Sequence, residues 1–163
     1  MRRRALLATL PFAFAGCTAI GSDRPEDATP VPIDCRAAQR PAPEADAADA
    51  VEPRPYPDPP SPGGVGEWTV AHERAYVTNS ILASETVASL SIEFEQATTA
   101  SRSAGVVGSV DYGYSYQSDG AIADAPDAAA AYYVADRGAL RVDGVGPAAE
   151  LDPVADGDPV VCF

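Results

Sequence analysis

The stretch GEWTVAHERAYVTNSILASE, residues 66–85, decides the fold, because a clear helical period begins there. Mostly apolar side chains recur at three- and four-residue steps, so they share one face of a helix. This face comprises Trp68, His72, Ala75, Tyr76, Asn79, Leu82 and Ala83. The opposite side takes Glu67, Glu73, Arg74 and Thr78. The spacing predicts a helix from about Val65 to Ser84, with His72 packed in the core rather than acting as a base or a ligand.

Downstream of this helix the residues alternate between apolar and polar, which predicts strands with one face exposed to water. The segment 88–95 alternates in this way, and so does 106–116, whose tyrosines lie in DYGYSYQ (111–117). Glycines within the second segment predict a bend, a bulge or a hairpin there. We expect the three tyrosines to pack against the sheet rather than to stack on a ligand.

Two further apolar runs, AAYYVA (130–135) and ALRV (139–142), flank a predicted hairpin loop at Asp136-Arg137-Gly138. One helix is thus followed by about four antiparallel strands. This order predicts an α+β fold over residues 67–163, with the N-terminal helix packed on one face of the sheet. The stretch ELDPVADGDP (150–159) lacks the carboxylate spacing of a calcium-binding loop, so we expect a solvated acidic tail.

The segment that precedes the helix has a different composition. Residues 17–66 are rich in Pro, Ala, Asp and Glu and show neither a helical nor a strand period. Such tracts are extended, semi-rigid spacers, so we predict a disordered tether. The motif PYPDPPSP (55–62) leaves a second interpretation open, in which a polyproline helix lies in an aromatic groove.

The first sixteen residues look like an export signal. A basic start precedes a short apolar run. Because a membrane span needs about 20 apolar residues and this run is shorter, a cleaved signal fits better than a membrane helix. The run RRALL resembles a twin-arginine signal through four residues: Arg3, Arg4, Leu6 and Leu7. The run FAGC resembles a lipobox: Phe14, Ala15, Gly16 and Cys17. Cys17 would carry the lipid, although a plain secretory signal with an incidental Cys17 remains the alternative.

The charge of the chain limits its partners. The 163 residues carry a formal charge of −13, and every basic residue is arginine. Such a field opposes the approach of phosphate, so nucleic-acid binding is excluded. Strong acidity is typical either of disorder or of a surface adapted to high salt. Because the residues after Trp68 keep a normal apolar content, the second interpretation is favoured for that part.

Two cysteines remain once Cys17 is assigned to lipidation. Cys35 and Cys162 form an even pair in a protein with an export signal, which predicts a disulfide between the tether and the C-terminal strand. Neither cysteine has a second Cys or His at metal-ligand spacing, so we predict no metal site. The sequence contains no nucleophile motif or phosphate-binding loop, and we predict no catalytic residue and no cofactor.

Taken together, these segments resemble the small twin-arginine-exported lipoproteins of haloarchaea. The resemblance rests on RRALL, FAGC, the acidic tether and the helix AHERAYVTNSILA (71–83), in which Glu73, Tyr76 and Asn79 match a pattern E-x-x-Y-x-x-N. It implies a protein anchored by lipid on the extracellular face of the cell membrane. We therefore expect a non-enzymatic envelope interaction or structural module with an envelope protein as its partner. The alternative is a small ligand-binding accessory for transport or sensing.

Overall fold

The structure is a computed structural model that describes residues 30–43, 50–102 and 104–163. Within these residues the chain forms one α-helix, six strands and a single-turn 3₁₀ helix. In chain order the elements are α1 (Val65–Leu82), β1 (Ser89–Phe94), β2 (Thr98–Arg102), β3 (Gly105–Ser118), β4 (Ala121–Ala135), β5 (Gly138–Val145), the 3₁₀ helix (Ala148–Glu150) and β6 (Asp158–Cys162). No described helix combines the length and the apolar character that a membrane crossing requires.

The six strands form one antiparallel sheet around the long central pair β3 and β4. β1 and β2 lie end to end along one edge of β3, while β4, β5 and β6 follow on its other side. β3 turns into β4 at Asp119 and Gly120, whose φ angles of 46° and 82° are the two positive values of a type I′ turn. The hairpin predicted around Asp136 and Arg137 is confirmed, since Ala135 pairs with Gly138.

The helix α1 packs on one face of this sheet, as predicted. At Gly108 a Cβ atom would collide with Thr69 Oγ1, so glycine is what allows the helix to lie close to β3. The buried apolar residues of this layer are Val65, Trp68, Val77, Ile81, Leu82, Val87, Val110, Tyr112, Ala130, Tyr132, Val134, Ala139 and Val160. The tyrosines of DYGYSYQ belong to the same layer, where they stack in a row that begins at Phe94, with centroid distances of 5.2, 6.3 and 6.4 Å. Tyr112 is buried and Tyr114 and Tyr116 are half-buried, so all three pack in this layer.

The segment 146–157 covers the other face of the sheet. The backbone N–H of Ala148 donates to Asp111 Oδ1 on β3 at 2.6 Å, and a Cβ atom at Gly144 would meet Leu151 at 3.1 Å. Under this cover Tyr133 is fully buried. The stretch 150–159 is therefore not a solvated tail as expected, because part of it closes this second layer and Asp158 already belongs to β6.

The residues that precede α1 also pack on the domain. We call residues 30–43 and 50–64 the strap. Its backbone bonds to the sheet and to the loop after α1: Gln39 N–H donates to Pro159 O on β6 at 3.0 Å, and Ala50 N–H donates to Val87 O at 3.0 Å. The prediction of a disordered tether does not describe these two stretches, because the strap has its own hydrogen bonds and a disulfide on the domain. The helix therefore lies between the sheet and the strap.

The predicted α+β class is confirmed, but the sheet has six strands rather than about four. The prediction missed β2, whose sequence TTASR has no apolar alternation because all five residues are exposed. It named a C-terminal strand at Cys162 but did not count it in the sheet, because β6 begins with Asp158-Pro159 and resembles the acidic loop before it. Both are edge strands that are defined by pairing with a neighbour rather than by a pattern of their own.

Candidate functional site

A carboxylate lies fully buried between the helix and the sheet. The side chain of Glu73 accepts a hydrogen bond from Tyr112 at 2.7 Å on Oε1 and one from Tyr132 at 2.5 Å on Oε2. Arg141 on β5 completes the arrangement, with its Nη2 2.7 Å from Oε1 and its Nε 2.9 Å from Oε2. We call these four residues the Glu73 cluster. Hydrogen bonds to an ionised group are about twice as strong as neutral ones, so this cluster joins α1 firmly to three strands.

Arg141 is held on several sides at once. Its guanidinium lies over the ring of Tyr76 at 3.8 Å, and its Nη1 forms an ion pair with Asp143 on the same strand. Burial by itself would lower the pKa of Arg141, but the hydrogen bonds and the charge of Glu73 outweigh burial and raise the pKa above its usual value. The guanidinium is therefore permanently charged, and Glu73 is its principal counter-ion.

The two tyrosines of the cluster keep their protons. Burial, and to a smaller extent the negative charge of Glu73, raises the pKa of Tyr112 and of Tyr132 well above the ordinary value for tyrosine. Each hydroxyl hydrogen is consequently available to the carboxylate of Glu73. The cluster thus consists of one anion and the donors that surround it.

His72 extends the cluster by one further hydrogen bond. Its Nδ1 lies 3.1 Å from the Tyr132 hydroxyl. Because the single hydroxyl hydrogen of Tyr132 is donated to Glu73, the network assigns the imidazole proton to Nδ1, which donates to the tyrosine oxygen. The Nε2 atom of His72 then has no hydrogen-bond partner among the described residues.

The imidazole of His72 is sealed from solvent by aromatic rings. The ring centroids of Trp68 and Tyr56 lie 4.6 and 4.9 Å away, and the exposed fraction of His72 is 0%. Burial, followed by the charges of Arg40 and Arg141, lowers the pKa of His72 to about 3. The ring is therefore neutral, and the prediction of a packed core histidine is confirmed.

The geometry of the Glu73 cluster suits it to hold structure together rather than to carry out a reaction. A carboxylate offers about four lone-pair sites, and the four donors described above occupy as many. Catalytic bases instead need a proton within reach and access for a substrate. In the described part of the chain, no group of three or more His, Cys, Asp or Glu side chains could hold a metal ion.

A second polar contact attaches the strap to the helix. The side chain of Asn79 bonds both backbone groups of Arg54, with Oδ1 accepting from the N–H at 2.8 Å and Nδ2 donating to the C=O at 2.9 Å. Nearby, the hydroxyl of Tyr56 donates to Pro41 O at 2.8 Å, which links the two stretches of the strap. The guanidinium of Arg40 lies over the same ring at 4.3 Å. The strap thus follows the helix for several residues.

A disulfide fixes the other end of the strap. Cys35 and Cys162 are bonded, with their Cα atoms 5.7 Å apart and a sequence separation of 127. The predicted pair is confirmed. The bond joins the first described stretch of the chain to β6.

Two open grooves lie on the domain, one at the end of the sheet where β4 turns into β5 and one midway along β3. The first, the proline groove, has a volume of about 590 Å³, and its walls include Pro59, Pro60, Pro62, Val106, Val134 and Phe163. The second, the acidic groove, has a volume of about 530 Å³ and is lined in part by Glu93, Glu95 and Asp124. Prolines of the PYPDPPSP motif thus form a wall of a groove of their own domain.

The export and lipidation residues lie outside the described part of the chain. They are Arg3, Arg4, Leu6 and Leu7 of the twin-arginine motif and Phe14, Ala15, Gly16 and Cys17 of the lipobox. Their roles stay predictions.

Among the acidic residues considered for calcium, Asp152 forms a two-pronged ion pair with Arg102, at 2.7 and 2.8 Å.

The sequence-based interpretation missed both ions of the Glu73 cluster. It assigned Glu73 and Thr78 to the exposed side of the helix, which is wrong, because both are fully buried. A usable signal was present in the pattern E-x-x-Y-x-x-N. Its three members each hold a distant part of the chain: Glu73 binds Arg141, Tyr76 stacks on Arg141, and Asn79 binds the strap.

Comparison with known proteins found no match, since no protein-family model, no curated protein and no solved structure is significantly similar to this chain.

Proposed function

We propose that this protein is a non-enzymatic interaction module of the cell envelope, anchored by lipid on Cys17 to the extracellular face of the membrane. The twin-arginine motif directs export, and the lipobox supplies the anchoring cysteine. Two acyl chains on this residue, at about 0.8 kcal/mol per buried methylene, would hold the protein stably in the membrane. The acidic domain then faces the outside, where it contacts an envelope protein.

The observation that carries the proposal is the disulfide between Cys35 and Cys162. Such bonds persist in oxidising compartments, which agrees with an exported protein. The bond also shortens the link to the membrane. Residues 18–66 could span about 170 Å as a free chain, whereas residues 18–34 span about 60 Å at most. The module therefore stays close to the membrane, within reach of partners that are themselves anchored there.

The absence of catalysis is part of the proposal and is supported by the chemistry of the buried groups. The carboxylate of Glu73 already accepts hydrogen bonds from three side chains, and the imidazole of His72 is neutral and fully covered. A hydrolase would need a nucleophile, a base and an orienting group that meet at a place open to substrate. His72 and Glu73 do not offer that access.

The experiment that tests this function is the intact mass of the protein extracted from the membranes of its own cells. We expect the mass of residues 17–163 plus a diacylglyceryl group. In a strain that expresses Cys17→Ser, the protein should leave the membrane fraction. The matched control is the double variant Cys35→Ser/Cys162→Ser, which removes the disulfide without changing Cys17 and should stay in the membrane.

Other outcomes would contradict the proposal. An unmodified mass, or a Cys17→Ser protein that remains with the membrane as firmly as the wild type, would rule out the lipid anchor. Cross-linking on intact cells then tests the partner. A defined envelope protein should be captured by the wild type and lost with Cys17→Ser, and a protein that hydrolyses or converts a substrate on its own would refute the module as non-enzymatic.

A further inference from the structure

The course of the strap shows where the chain leaves the domain. Cys35 lies beside Cys162, and Gln39 bonds to Pro159, so residues 35–39 run antiparallel to β6. Residues that precede Cys35 therefore point toward the end of the sheet where β4 turns into β5, at Asp136-Arg137. We call this end of the molecule the exit end. A link to a lipid on Cys17 joins the disulfide-bonded Cys35 from this end.

The exit end presents apolar surface to solvent. The proline groove opens here, between the prolines of the strap and the β2–β3 hairpin. Phe163 forms part of its wall and is 42% exposed, while its ring also contacts Trp68 edge-on at 6.2 Å. Exposed aromatic and proline side chains grouped in this way favour an interface between water and an apolar phase.

The charges of the molecule are unevenly distributed between its two ends. The opposite end, where β3 turns into β4, is separated from the exit end by the length of β4, about 45 Å. It carries Asp119 in the turn and Asp124 on β4, while Glu93, Glu95 and Asp127 lie farther along, near the middle of the sheet. Near the exit end, by contrast, Asp34 and Asp136 each have an arginine within two positions of the sequence, and Asp152 is paired with Arg102. Anionic headgroups repel the acidic end more strongly than the exit end.

From these observations we propose that the exit end is a membrane-contact surface, on which the proline groove and Phe163 rest against the lipid bilayer. The occupant is the boundary between headgroups and acyl chains, where amphipathic and aromatic side chains lie. The acidic end then projects away from the membrane toward protein partners. This inference rests on the proposed lipid anchor, because the tethered chain is what brings a surface of this modest size to the bilayer.

Trp68 offers a direct test, since it is the single tryptophan of the chain and contacts Phe163. The lipidated protein is reconstituted into phosphatidylcholine vesicles with and without bromine on the acyl chains, and tryptophan fluorescence is compared. Bromine quenches tryptophan at short range. We expect a loss of Trp68 fluorescence in the brominated vesicles.

Three variants define the surface. Phe163→Asp and Ala104→Asp both place a charge at the proline groove, and the second leaves the contact between Trp68 and Phe163 intact. Both should reduce the quenching. The matched control is Ile122→Asp, which replaces another large exposed apolar residue, 78% exposed, near the acidic end. It should leave the quenching unchanged, and the thermal unfolding of each variant confirms that it folds.

Flotation of the vesicles separates the two hypotheses. Protein that does not float with the vesicles refutes the anchor and this inference together. Protein that floats but shows no quenching, or whose quenching is lost with Ile122→Asp and kept with both groove variants, refutes the membrane-contact surface alone and leaves the anchor in place.

Discussion

Replacing Glu73 by glutamine tests whether the Glu73 cluster stabilises the fold. The change keeps the size of the side chain but removes its charge and turns one acceptor oxygen into a donor. Arg141, whose side chain is 6% exposed, would lose the anion that it binds with two hydrogen bonds. At least one tyrosine hydroxyl would also face a donor rather than an acceptor.

The expected loss of stability follows from the charge of Arg141, which the substitution leaves without its buried counter-ion. Breaking a buried ion pair by removing one partner costs about 3–5 kcal/mol, because a charge stays in the interior. Asp143 still contacts Arg141, and with a side chain 61% exposed it compensates in part, so we expect the lower half of that range. For a domain of this size, about 3 kcal/mol lowers the melting temperature by roughly 10–20 °C.

The chain contains a matched control for this experiment. Arg102 and Asp152 also form a two-pronged ion pair, but their side chains are 43% and 37% exposed. Asp152→Asn makes the same chemical change at a solvent-exposed site, where screening by water and salt removes most of the stability that an ion pair would contribute. It should alter the free energy of unfolding little. Both variants are compared with the wild type by thermal unfolding followed by circular dichroism at one ionic strength.

A double variant separates the pair from its parts. In Glu73→Gln/Arg141→Met the unpaired cation is gone, so the loss of stability should be smaller than the sum of the two single losses. If Glu73→Gln destabilises no more than Asp152→Asn, or if the two cluster substitutions are simply additive, the cluster does not hold the fold together and the reasoning from burial fails.

Two further predictions concern His72 and the disulfide. Because burial lowers the pKa of His72 to about 3 while the unfolded chain titrates near 6.5, its contribution to stability is complete above the unfolded pKa and is lost as the pH falls. The free energy of unfolding should thus drop by about 2 kcal/mol between pH 7 and pH 5. If the stability of a His72→Gln protein fell equally over this pH range, the assignment to His72 would be contradicted. Cys35→Ser/Cys162→Ser removes a bond between residues separated by 127 positions in sequence, so it should lower the free energy of unfolding by about 2–5 kcal/mol, measured by denaturant titration. An equal stability of reduced and oxidised wild type would refute this role.

The elements with a strong local pattern could be predicted from the sequence. The helix was expected from about Val65 to Ser84 and is found at Val65–Leu82, because its apolar positions recur with the period of a helix. The alternating segment 88–95 is found as β1, and the hairpin at Asp136-Arg137 is found where glycine follows it. In each case the signal lies within a few neighbouring residues.

The first half of β4 shows why other elements escaped prediction. Its sequence AIADAPDAA (121–129) is dominated by alanine and contains Pro126, which argues against a central strand. The register of β3 and β4 shifts between Tyr112 and Tyr114, opposite this proline, so an irregularity in the pairing accommodates it. The turn Asp119-Gly120 was a readable hairpin signal, but the strand after it had no pattern of its own.

The amino-acid sequence alone determined the helix, the alternating strands, the pairing of the two cysteines and the acidic character of the surface, because each depends on local spacing or on composition. Only the tertiary structure decided where the charged residues lie. Glu73 appears on the polar side of a helical wheel, yet it is buried because Arg141, 68 residues later, brings a matching charge to the same place. Likewise the strap has the composition of a free spacer, and it becomes part of the domain because Asn79 and the disulfide bind it. A local pattern cannot report a partner that is distant in sequence.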